Sequence, residues 1–447
     1  MNDAVSKGLQ HAETTKVVEV GRGVLPRSGQ ILNALLLQQA SPGLLVADER
    51  TWQAAGAQVE QSLREAGAAL VEPMVFPGTP TLYAAYEHAE QIRERLREQG
   101  AVGIAIGSGT LNDLVKLASG ELERPYAVVG TAASMDGYTG FGAPMTRGGL
   151  KITMPCPAPT VVIFDLDVAA AAPAPMAASG YGDLSAKIPA GADWILADVT
   201  GVDPIDPLAW ELVQGGVQEA LSRPAELAAG VPEAYDGLCR GLVLSGLAMQ
   251  VARGTRPASG AEHYFSHLWE LDHVGAELDP PLSHGFKVAI GTLAMTAFYE
   301  KFLQRDVAGL DLDEVAARWP SWDEVADHIR ATMSGPLVDK GLNETKEKYV
   351  DADGLRQRLG RLVDSWPQTS ARLEGQLLSA SELQRMLAEA GAPARPEDIG
   401  LTAQAVRETF PRAMYYRSRY TVLDVAREIG WFDSLVEEVF APGGIWT

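Results

Sequence analysis

The stretch AVGIAIGSGTLNDLVKLAS (residues 101–119) decides the fold of this chain. Its first half is wholly apolar, which predicts a strand buried on both faces, as in a parallel sheet. The glycines that follow predict a tight turn, and a helix is expected to begin near Thr110. A strand, a glycine turn and a helix in this order form the repeating unit of parallel α/β domains.

The segments on both sides of this stretch continue the alternation. Strands are predicted at residues 17–20, 43–48, 70–76 and 126–130, and helices at 31–39, 51–65 and 81–98. Residues 143–165 predict a hairpin that ends in a strand. After about residue 168 the patterns are helical, with few candidate strands. The sequence therefore predicts an α/β domain over residues 1–172 and an all-helical domain over residues 173–447, with a cleft between them.

Length and composition limit the class of protein. A chain of 447 residues exceeds the usual size of one domain, which agrees with two. No apolar run approaches the roughly 18–20 residues of a membrane span, and the first residues lack the features of a secretory signal. The two cysteines provide no disulfide framework. We therefore expect a cytoplasmic protein.

The net charge is −21, from 37 lysines and arginines against 58 aspartates and glutamates. A field of this sign repels phosphate backbones and anionic lipids, so it argues against nucleic-acid and membrane partners. A small phosphorylated ligand is still compatible with this charge, but it would have to meet a local cluster of cations.

Candidate nucleotide contacts lie where predicted strands end. Gly107 and Gly109 would let the backbone approach a pyrophosphate at the start of a helix. Thr131 and Ser134 follow the next strand, at the position where open α/β sheets bind ligands. The Gly-x-Gly pattern lacks the third glycine of the dinucleotide motif and is not in the first βα unit. The alternative is an ordinary glycine turn followed by a self-capped Asp136-Gly137 turn.

Histidines and a carboxylate suggest a metal site. On a helix over residues 261–273, His263 and His267 are four residues apart and project from one face. His284 opens the next apolar segment, and Asp183 would add a carboxylate. Two imidazoles and a carboxylate with an open position are typical of a catalytic divalent metal site. The alternative is that these are surface histidines or hydrogen-bonded core histidines.

Five motifs, in this order and spacing, resemble those of the glycerol-1-phosphate dehydrogenases, in the dehydroquinate synthase-like, iron-type alcohol dehydrogenase superfamily. They are GSGTLNDLVK (107–116), TAASMDG (131–137), GYGDLSAK (180–187), RPASGAEHYFSH (256–267) and SHG (283–285). The similarity runs from about residue 15 to at least residue 300. It implies a Rossmann-like N-terminal domain, a helical C-terminal domain and a homo-oligomer. The implied reaction is NAD(P)H-dependent reduction of dihydroxyacetone phosphate to sn-glycerol 1-phosphate.

Carried over position by position, the resemblance assigns a metal ion to Asp183, His263 and His284. It gives His267 to the substrate, although spacing alone would make both histidines of the 263/267 pair ligands. Asp183 and His267 are thus the expected catalytic residues, and Asp136 matches a substrate-contacting acid. The ligand set suits zinc, nickel or iron, and the resemblance places zinc and nickel above iron.

The resemblance also implies the nucleotide contacts. The matching positions are Gly107, Ser108, Gly109, Thr110, Leu111, Thr131 and Ser134. Asp48 matches the ribose-binding acid, and a carboxylate there would bind a ribose 2′-hydroxyl and repel a 2′-phosphate, which favours NAD over NADP. The glycine turn departs from the family, because Ser108 stands where relatives often carry a third glycine.

Two further assignments depend on neighbourhood in the sequence. The nearest cations for the substrate phosphate are Arg256, just before the histidine helix, and Lys287, one turn past His284. Lys151 and Lys187 are further options, and backbone amides near Ser259 could also contact the phosphate. Glu270 is a candidate acceptor for a ligand imidazole, or else a solvated helix acid.

Three other functions compete with this interpretation. The first is a dehydrogenase of the same fold that acts on glycerol or another polyol without phosphate. The second is a dehydroquinate synthase-like cyclase, although such enzymes typically carry a glutamate where Asp183 stands. The third is a non-catalytic nucleotide-binding sensor, which would have no need of the set Asp183, His263 and His284.

Overall fold

The computed structural model describes residues 2–37, 41–148 and 150–446 of the chain. Six strands form one parallel sheet in the order β1-β8-β5-β4-β2-β3, and β6 pairs with β7 as an antiparallel hairpin. The strands are β1 (Val17–Gly21), β2 (Gly43–Asp48), β3 (Met74–Phe76), β4 (Val102–Gly107), β5 (Tyr126–Gly130), β6 (Ala143–Arg147), β7 (Leu150–Met154) and β8 (Val161–Asp165).

Helices alternate with the strands in the first part of the chain. They are α1 (Asn2–His11), α2 (Leu25–Leu32), α3 (Glu49–Thr51), α4 (Ala57–Glu65), α5 (Tyr86–Gln99), α6 (Gly109–Gly120) and α7 (Leu166–Ala171). Two π-helical turns, Asn33–Leu37 and Trp52–Gly56, extend α2 and join α3 to α4.

After β8 the described part of the chain contains helices and no further strand. These helices are α8 (Ala174–Ser185), α9 (Lys187–Val199), α10 (Pro207–Gln214), α11 (Val217–Ala220), α12 (Pro224–Ala228), α13 (Pro232–Ala252), α14 (Glu262–Leu271), α15 (His284–Leu303), α16 (Leu312–Ala317), α17 (Trp322–Thr332), α18 (Leu337–Lys348), α19 (Ala352–Asp364), α20 (Trp366–Gln376), α21 (Ala380–Glu389), α22 (Ala403–Met414), α23 (Val422–Ile429) and α24 (Phe432–Val439). The predicted fold class, a parallel α/β part followed by a helical part, is confirmed.

Both faces of the parallel sheet are covered, because alternate side chains of a strand point to opposite faces. Leu45 and Ile104 belong to a core that α2 and α4 cover. Leu44 and Ala105 face the other way, into a core shared with α5, α6 and the helices of the second part. Double coverage explains why these strands are continuous apolar runs.

Several predicted boundaries are wrong. The helix expected from residue 31 already begins at Leu25, with Pro26 in its first turn. The helix expected from residue 81 begins at Tyr86, because the hairpin holds the preceding residues extended: the Thr146 amide donates to the Ala84 carbonyl at 2.9 Å. The strand expected over residues 70–76 is reduced to β3, preceded by Pro73, which has no amide to donate. Of the helix expected at 31–39, residues 38 and 39 lie outside the described residues.

Glycines allow α8 and α15 to approach closely, and this contact places two candidate ligands. A Cβ atom on Gly285 would lie 2.0 Å from the Ser179 carbonyl oxygen, and one on Gly182 would lie 2.5 Å from the Gly285 carbonyl oxygen. Side chains at these positions would force the helices apart. The backbone contact therefore brings Asp183 on α8 next to His284 at the start of α15.

None of the helices in the described ranges is both long enough and apolar enough to span a membrane.

Candidate metal and nucleotide site

Asp183, His263 and His284 converge at one point between helices. Each offers one ligand atom, and these atoms all lie within 4.8 Å of one another. His263 Nε2 is 3.6 Å from Asp183 Oδ1, and the ring centroids of His263 and His284 are 5.5 Å apart. The residues come from α8 and from two consecutive helices much later in the chain, α14 and α15. The structure thus brings together the three residues that the resemblance assigns to a metal ion.

Each of the two imidazoles donates its Nδ1 proton to a carboxylate. His263 Nδ1 lies 2.8 Å from Glu262 Oε1, and His284 Nδ1 lies 2.8 Å from Glu270 Oε1. This arrangement fixes the tautomer and leaves Nε2 as the atom able to coordinate an ion, as in most histidine metal sites. The donor set therefore fits a divalent cation. Glu270 does serve as an acceptor for a ligand imidazole, while sequence reasoning missed Glu262, although it directly precedes His263.

A buried lysine holds the Asp183 carboxylate in its ionised form. Lys187 Nζ lies 3.1 Å from Asp183 Oδ1 and 2.8 Å from Asp136 Oδ2, and its side chain is fully buried. Burial alone would raise the pKa of Asp183, but the charges of Lys187 and the neighbouring imidazoles outweigh it and hold that pKa far below its usual value. Since Lys187 is bound to two carboxylates, it is a poor candidate for the substrate phosphate.

Asp136 connects the metal cluster to the sheet. Its amide donates to Asp183 Oδ2 at 2.9 Å, and its own Oδ2 accepts from Ser245 Oγ at 2.8 Å. It lies in the loop after β5, so one short segment runs from the end of a central strand to the carboxylate of α8. The predicted substrate-contacting acid therefore stands between the two parts of the site.

His267 lies beside the cluster, one turn after His263. Its ring stacks on that of His284 with 5.8 Å between centroids, and its buried Nδ1 has no hydrogen-bond partner in the described part of the chain. Burial, together with the charges of Arg417, His284 and His263, lowers its pKa well below the usual value, so the ring is neutral. A second group of possible ligand atoms, all within 4.8 Å of one another, comes from His267, Glu270 and His284. The geometry alone therefore leaves His267 available to an ion or to a substrate.

The predicted nucleotide residues gather at the carboxyl edge of the sheet. Val46 pairs with Ala105 and Gly107 pairs with Gly130, so β2, β4 and β5 end side by side. The Thr131 amide donates to the Gly107 carbonyl at 3.1 Å. Ligands of open α/β sheets bind at such an edge.

The start of α6 lies at this edge. Ser108 is its N-cap residue, Gly109 is its first residue and Thr110 stands in its first turn. The first amides of a helix have no intrahelical acceptor, which makes this end suited to an anion. The Leu111 side chain is buried in the core, so only its backbone can face a ligand.

Two further side chains that were predicted to contact the nucleotide already form hydrogen bonds within the protein. Asp48 Oδ1 caps α3 by accepting the Thr51 amide at 2.7 Å, and the Ser134 hydroxyl lies 3.1 Å from that of Tyr138. Asp48 ends β2, next to the strand that carries Gly107. The nucleotide roles of Asp48, Ser134 and the other residues at this edge of the sheet stay predictions.

Arg256 forms its hydrogen bonds outside the cluster, and its expected role at the substrate phosphate stays a prediction. Its guanidinium is buried and donates to the carbonyl oxygens of Asp193 and Tyr420 at 2.8 and 3.0 Å. It binds α9 to the segment before α23, a contact that sequence neighbourhood cannot reveal. The Ser259 hydroxyl lies 2.6 Å from Arg419.

Two lysines remain from the alternatives for the phosphate. Lys287 is buried and its Nζ lies 3.4 Å from the Leu282 carbonyl oxygen. The side chain of Lys151 lies outside the described residues.

The chain is similar to known proteins. The family described as iron-containing alcohol dehydrogenase matches residues 19–173. A glycerol-1-phosphate dehydrogenase [NAD(P)+] of Archaeoglobus fulgidus is 30% identical over 347 residues, 76% of this chain and 89% of its own length. One from Halalkalibacterium halodurans is 29% identical over 381 residues, 85% of this chain and 84% of its own length.

Solved structures share the fold. A probable glycerol dehydrogenase from Sinorhizobium meliloti superposes with a TM-score of 0.57 at 17% identity, over 94% of this chain and 97% of that one. An iron-containing alcohol dehydrogenase from Thermococcus thioreducens superposes with a TM-score of 0.59 at 16% identity, over 96% of this chain and 99% of that one. At these identities the likeness concerns the fold alone.

Proposed function

Since the chain belongs to the glycerol-1-phosphate dehydrogenase family of the iron-containing alcohol dehydrogenase superfamily and is an oxidoreductase, we propose that it reduces dihydroxyacetone phosphate to sn-glycerol 1-phosphate with NAD(P)H and one divalent metal ion. The observation that carries the proposal is the convergence of Asp183, His263 and His284, with each imidazole fixed by a carboxylate. NAD(P) and a divalent metal are both consistent with this family.

The metal ion would be held by Asp183, His263 and His284. When bound there, a divalent ion supplies a Lewis acid for the oxygen of the reacting carbonyl. Lys187 keeps Asp183 ionised, and the carboxylates of Glu262 and Glu270 keep the two imidazoles in the coordinating tautomer. Zinc and nickel remain our first candidates and iron the next.

His267 is proposed to orient the substrate. Its ring is neutral, half-buried and stacked on that of His284, so it can exchange a hydrogen bond with a substrate hydroxyl through a ring nitrogen. Asp136, bonded to Lys187 and Ser245, is proposed to contact the substrate as well. Asp183 and His267 thus remain the proposed catalytic residues.

The nucleotide is proposed to lie along the edge formed by Asp48, Gly107 and Thr131, with its pyrophosphate at the start of α6. NAD(P)H supplies the hydride. The Asp48 carboxylate favours NAD over NADP, since a 2′-phosphate would be repelled. The domain boundary at residue 172, the cytoplasmic location and the homo-oligomer stay predictions.

The test is the oxidation of NADH, followed by its absorbance, with chelated protein restored with zinc, nickel or iron. Dihydroxyacetone phosphate and dihydroxyacetone are compared as substrates. We expect metal-dependent turnover that requires the phosphate. Turnover of the unphosphorylated ketone alone would move the protein to a polyol dehydrogenase, and no oxidation with any of the three metals would contradict the proposal.

A further inference from the structure

A phosphorylated substrate needs cations near His267, and two of the four candidate cations are engaged elsewhere. Lys187 is bound to Asp136 and Asp183, and Arg256 is bound to backbone carbonyls of α9 and the segment before α23. A chain with a net charge of −21 offers no general attraction for an anion. The binding site for the phosphate must therefore be a local cluster.

Such a cluster lies on the helical segment after residue 300. The Tyr416 ring, in the loop after α22, lies 6.0 Å from the His267 ring between centroids. Lys340 Nζ, on α18, lies 4.9 Å from the centroid of the Tyr416 ring, and the guanidinium carbon of Arg417 lies 5.8 Å from it. Two cations from distant parts of the chain thus lie beside Tyr416, whose ring is next to that of His267.

The charge of this cluster is only partly balanced. Lys340 pairs with Glu344 at 3.0 Å, and Glu344 also accepts the Ser418 amide. No ion pair joins Arg417 to a carboxylate within residues 2–37, 41–148 and 150–446. A bound anion would balance the charge of Arg417.

The pKa of the neighbouring Arg419 is affected by the positive charges around it. Burial lowers its pKa to about 10, and the charges of Arg256 and Arg417 act in the same direction. Its donors are used on Ser259 and Thr255, so it supports the loop and is not directly available. Arg419 therefore lies within the electrostatic influence of two other arginines, Arg256 and Arg417.

We propose that Lys340 and Arg417 bind the phosphate group of the substrate, beside the Tyr416 ring that neighbours His267. The proposal rests on the proposed function, since it names the residues that recognise the phosphorylated ketone. It gives the helical segment after residue 300 a role in substrate specificity. The substrate would extend from the Asp183, His263 and His284 cluster past His267 to the loop that carries Tyr416 and Arg417.

The experiment compares Lys340→Met and Arg417→Met with Lys346→Met. Lys346 is a matched control on the same helix, because its ammonium lies 4.3 Å from the Trp322 ring and does not contact Tyr416. KM and kcat are measured on metal-loaded enzyme with dihydroxyacetone phosphate and with dihydroxyacetone. Binding of inorganic phosphate is measured in parallel by calorimetry, which needs no turnover.

We expect each of the two variants to raise KM for the phosphorylated ketone about ten- to hundredfold, the usual effect of losing a charge-assisted hydrogen bond. KM for dihydroxyacetone and the bound metal should not change, and phosphate binding should weaken by a similar factor. Lys346→Met should match the wild type in every measurement.

The outcomes separate this inference from the proposed function. Wild-type turnover that requires the phosphate but does not depend on Lys340 or Arg417 would overturn the inference alone. Wild-type protein that binds phosphate through these residues but does not reduce the ketone would overturn the proposed function and retain the anion site. If the wild type neither turns over nor binds phosphate, both are wrong.

Discussion

The metal cluster and the nucleotide edge are built by different physical means. Around Asp183 the protein pairs each charged or polar side chain with another: Lys187 with two carboxylates, His263 with Glu262 and His284 with Glu270. At the ends of β2, β4 and β5 the site is formed chiefly by backbone, and its geometry depends on the absence of side chains at glycines. The metal cluster is therefore sensitive to changes of charge, and the nucleotide edge is sensitive to added side-chain atoms.

This difference predicts that each region can be damaged without the other. Neutralising a buried partner should release the metal and leave the nucleotide bound. Adding a methyl group at the sheet edge should weaken the nucleotide and leave the metal bound. The variants below test this separation, beginning with the largest expected effect.

Asp183→Asn should have the largest effect. It removes the anionic ligand and leaves the buried Lys187 with one carboxylate instead of two. We expect bound metal to be lost and turnover to fall by about a thousandfold or more, with a loss of roughly 3 kcal/mol in stability. Metal content, kcat/KM and the free energy of unfolding are the measurements.

The control for Asp183→Asn is Asp236→Asn, which neutralises a partly exposed carboxylate paired with Arg240. It should keep metal and activity. NADH affinity, measured by fluorescence, should be unchanged in both variants. Retention of metal and turnover by Asp183→Asn would remove this residue from the site.

Glu262→Gln should have the next largest effect, because it weakens the acceptor that fixes the His263 ring. Loss of such an outer carboxylate usually lowers metal affinity about ten- to hundredfold. Competition with a chelator measures the change. Glu428→Gln is the matched control: Glu428 is also buried, but it binds Tyr420 and Arg358. A drop in metal affinity in both variants would indicate a general loss of stability and no specific role for Glu262.

Gly107→Ala tests the nucleotide edge. The added Cβ would lie 2.4 Å from Leu111 Cδ1, so the first turn of α6 must shift. We expect NADH affinity to fall about tenfold, since the helix start would no longer face the pyrophosphate correctly, while metal affinity stays at the wild-type value. Gly375→Ala, on α20, serves as the control because no atom lies within 4 Å of its added Cβ. Loss of metal in Gly107→Ala would show that the two regions are coupled.

Asp48→Asn should have the smallest effect. The amide oxygen can still cap α3 by accepting the Thr51 amide, so only the charge is lost. We expect the preference for NADH over NADPH, measured as the ratio of kcat/KM values, to fall by about three- to tenfold. Glu60→Gln, which neutralises an acid of α4 paired with Arg64, should leave this ratio unchanged. An unchanged ratio in Asp48→Asn would place the ribose elsewhere.

The two regions also differ in how well the sequence predicted them. The apolar strands and glycine turns of residues 101–131 are local patterns, and the structure places β4, α6 and β5 where they were expected. The boundary at Tyr86 was wrong because the hairpin of β6 and β7, distant in sequence, holds the preceding residues. Glu262 was missed although it precedes His263, since a buried and a solvated glutamate look the same in a sequence.

By itself the sequence determined the α/β part, the helical part and the candidate ligands Asp183, His263 and His284, because periodicity, glycine turns and motif order are properties of neighbouring residues. Only the tertiary structure decided that Arg256 binds backbone carbonyls, that Lys187 joins two carboxylates, and that Lys340 and Arg417 stand near His267. The physical reason is that a charged side chain interacts with whatever groups lie near it in space, regardless of their distance along the chain. Its partners depend on which helices pack together, and the packing of α8 against α15 or of the chain's last third against α14 is set by contacts between residues far apart in the chain.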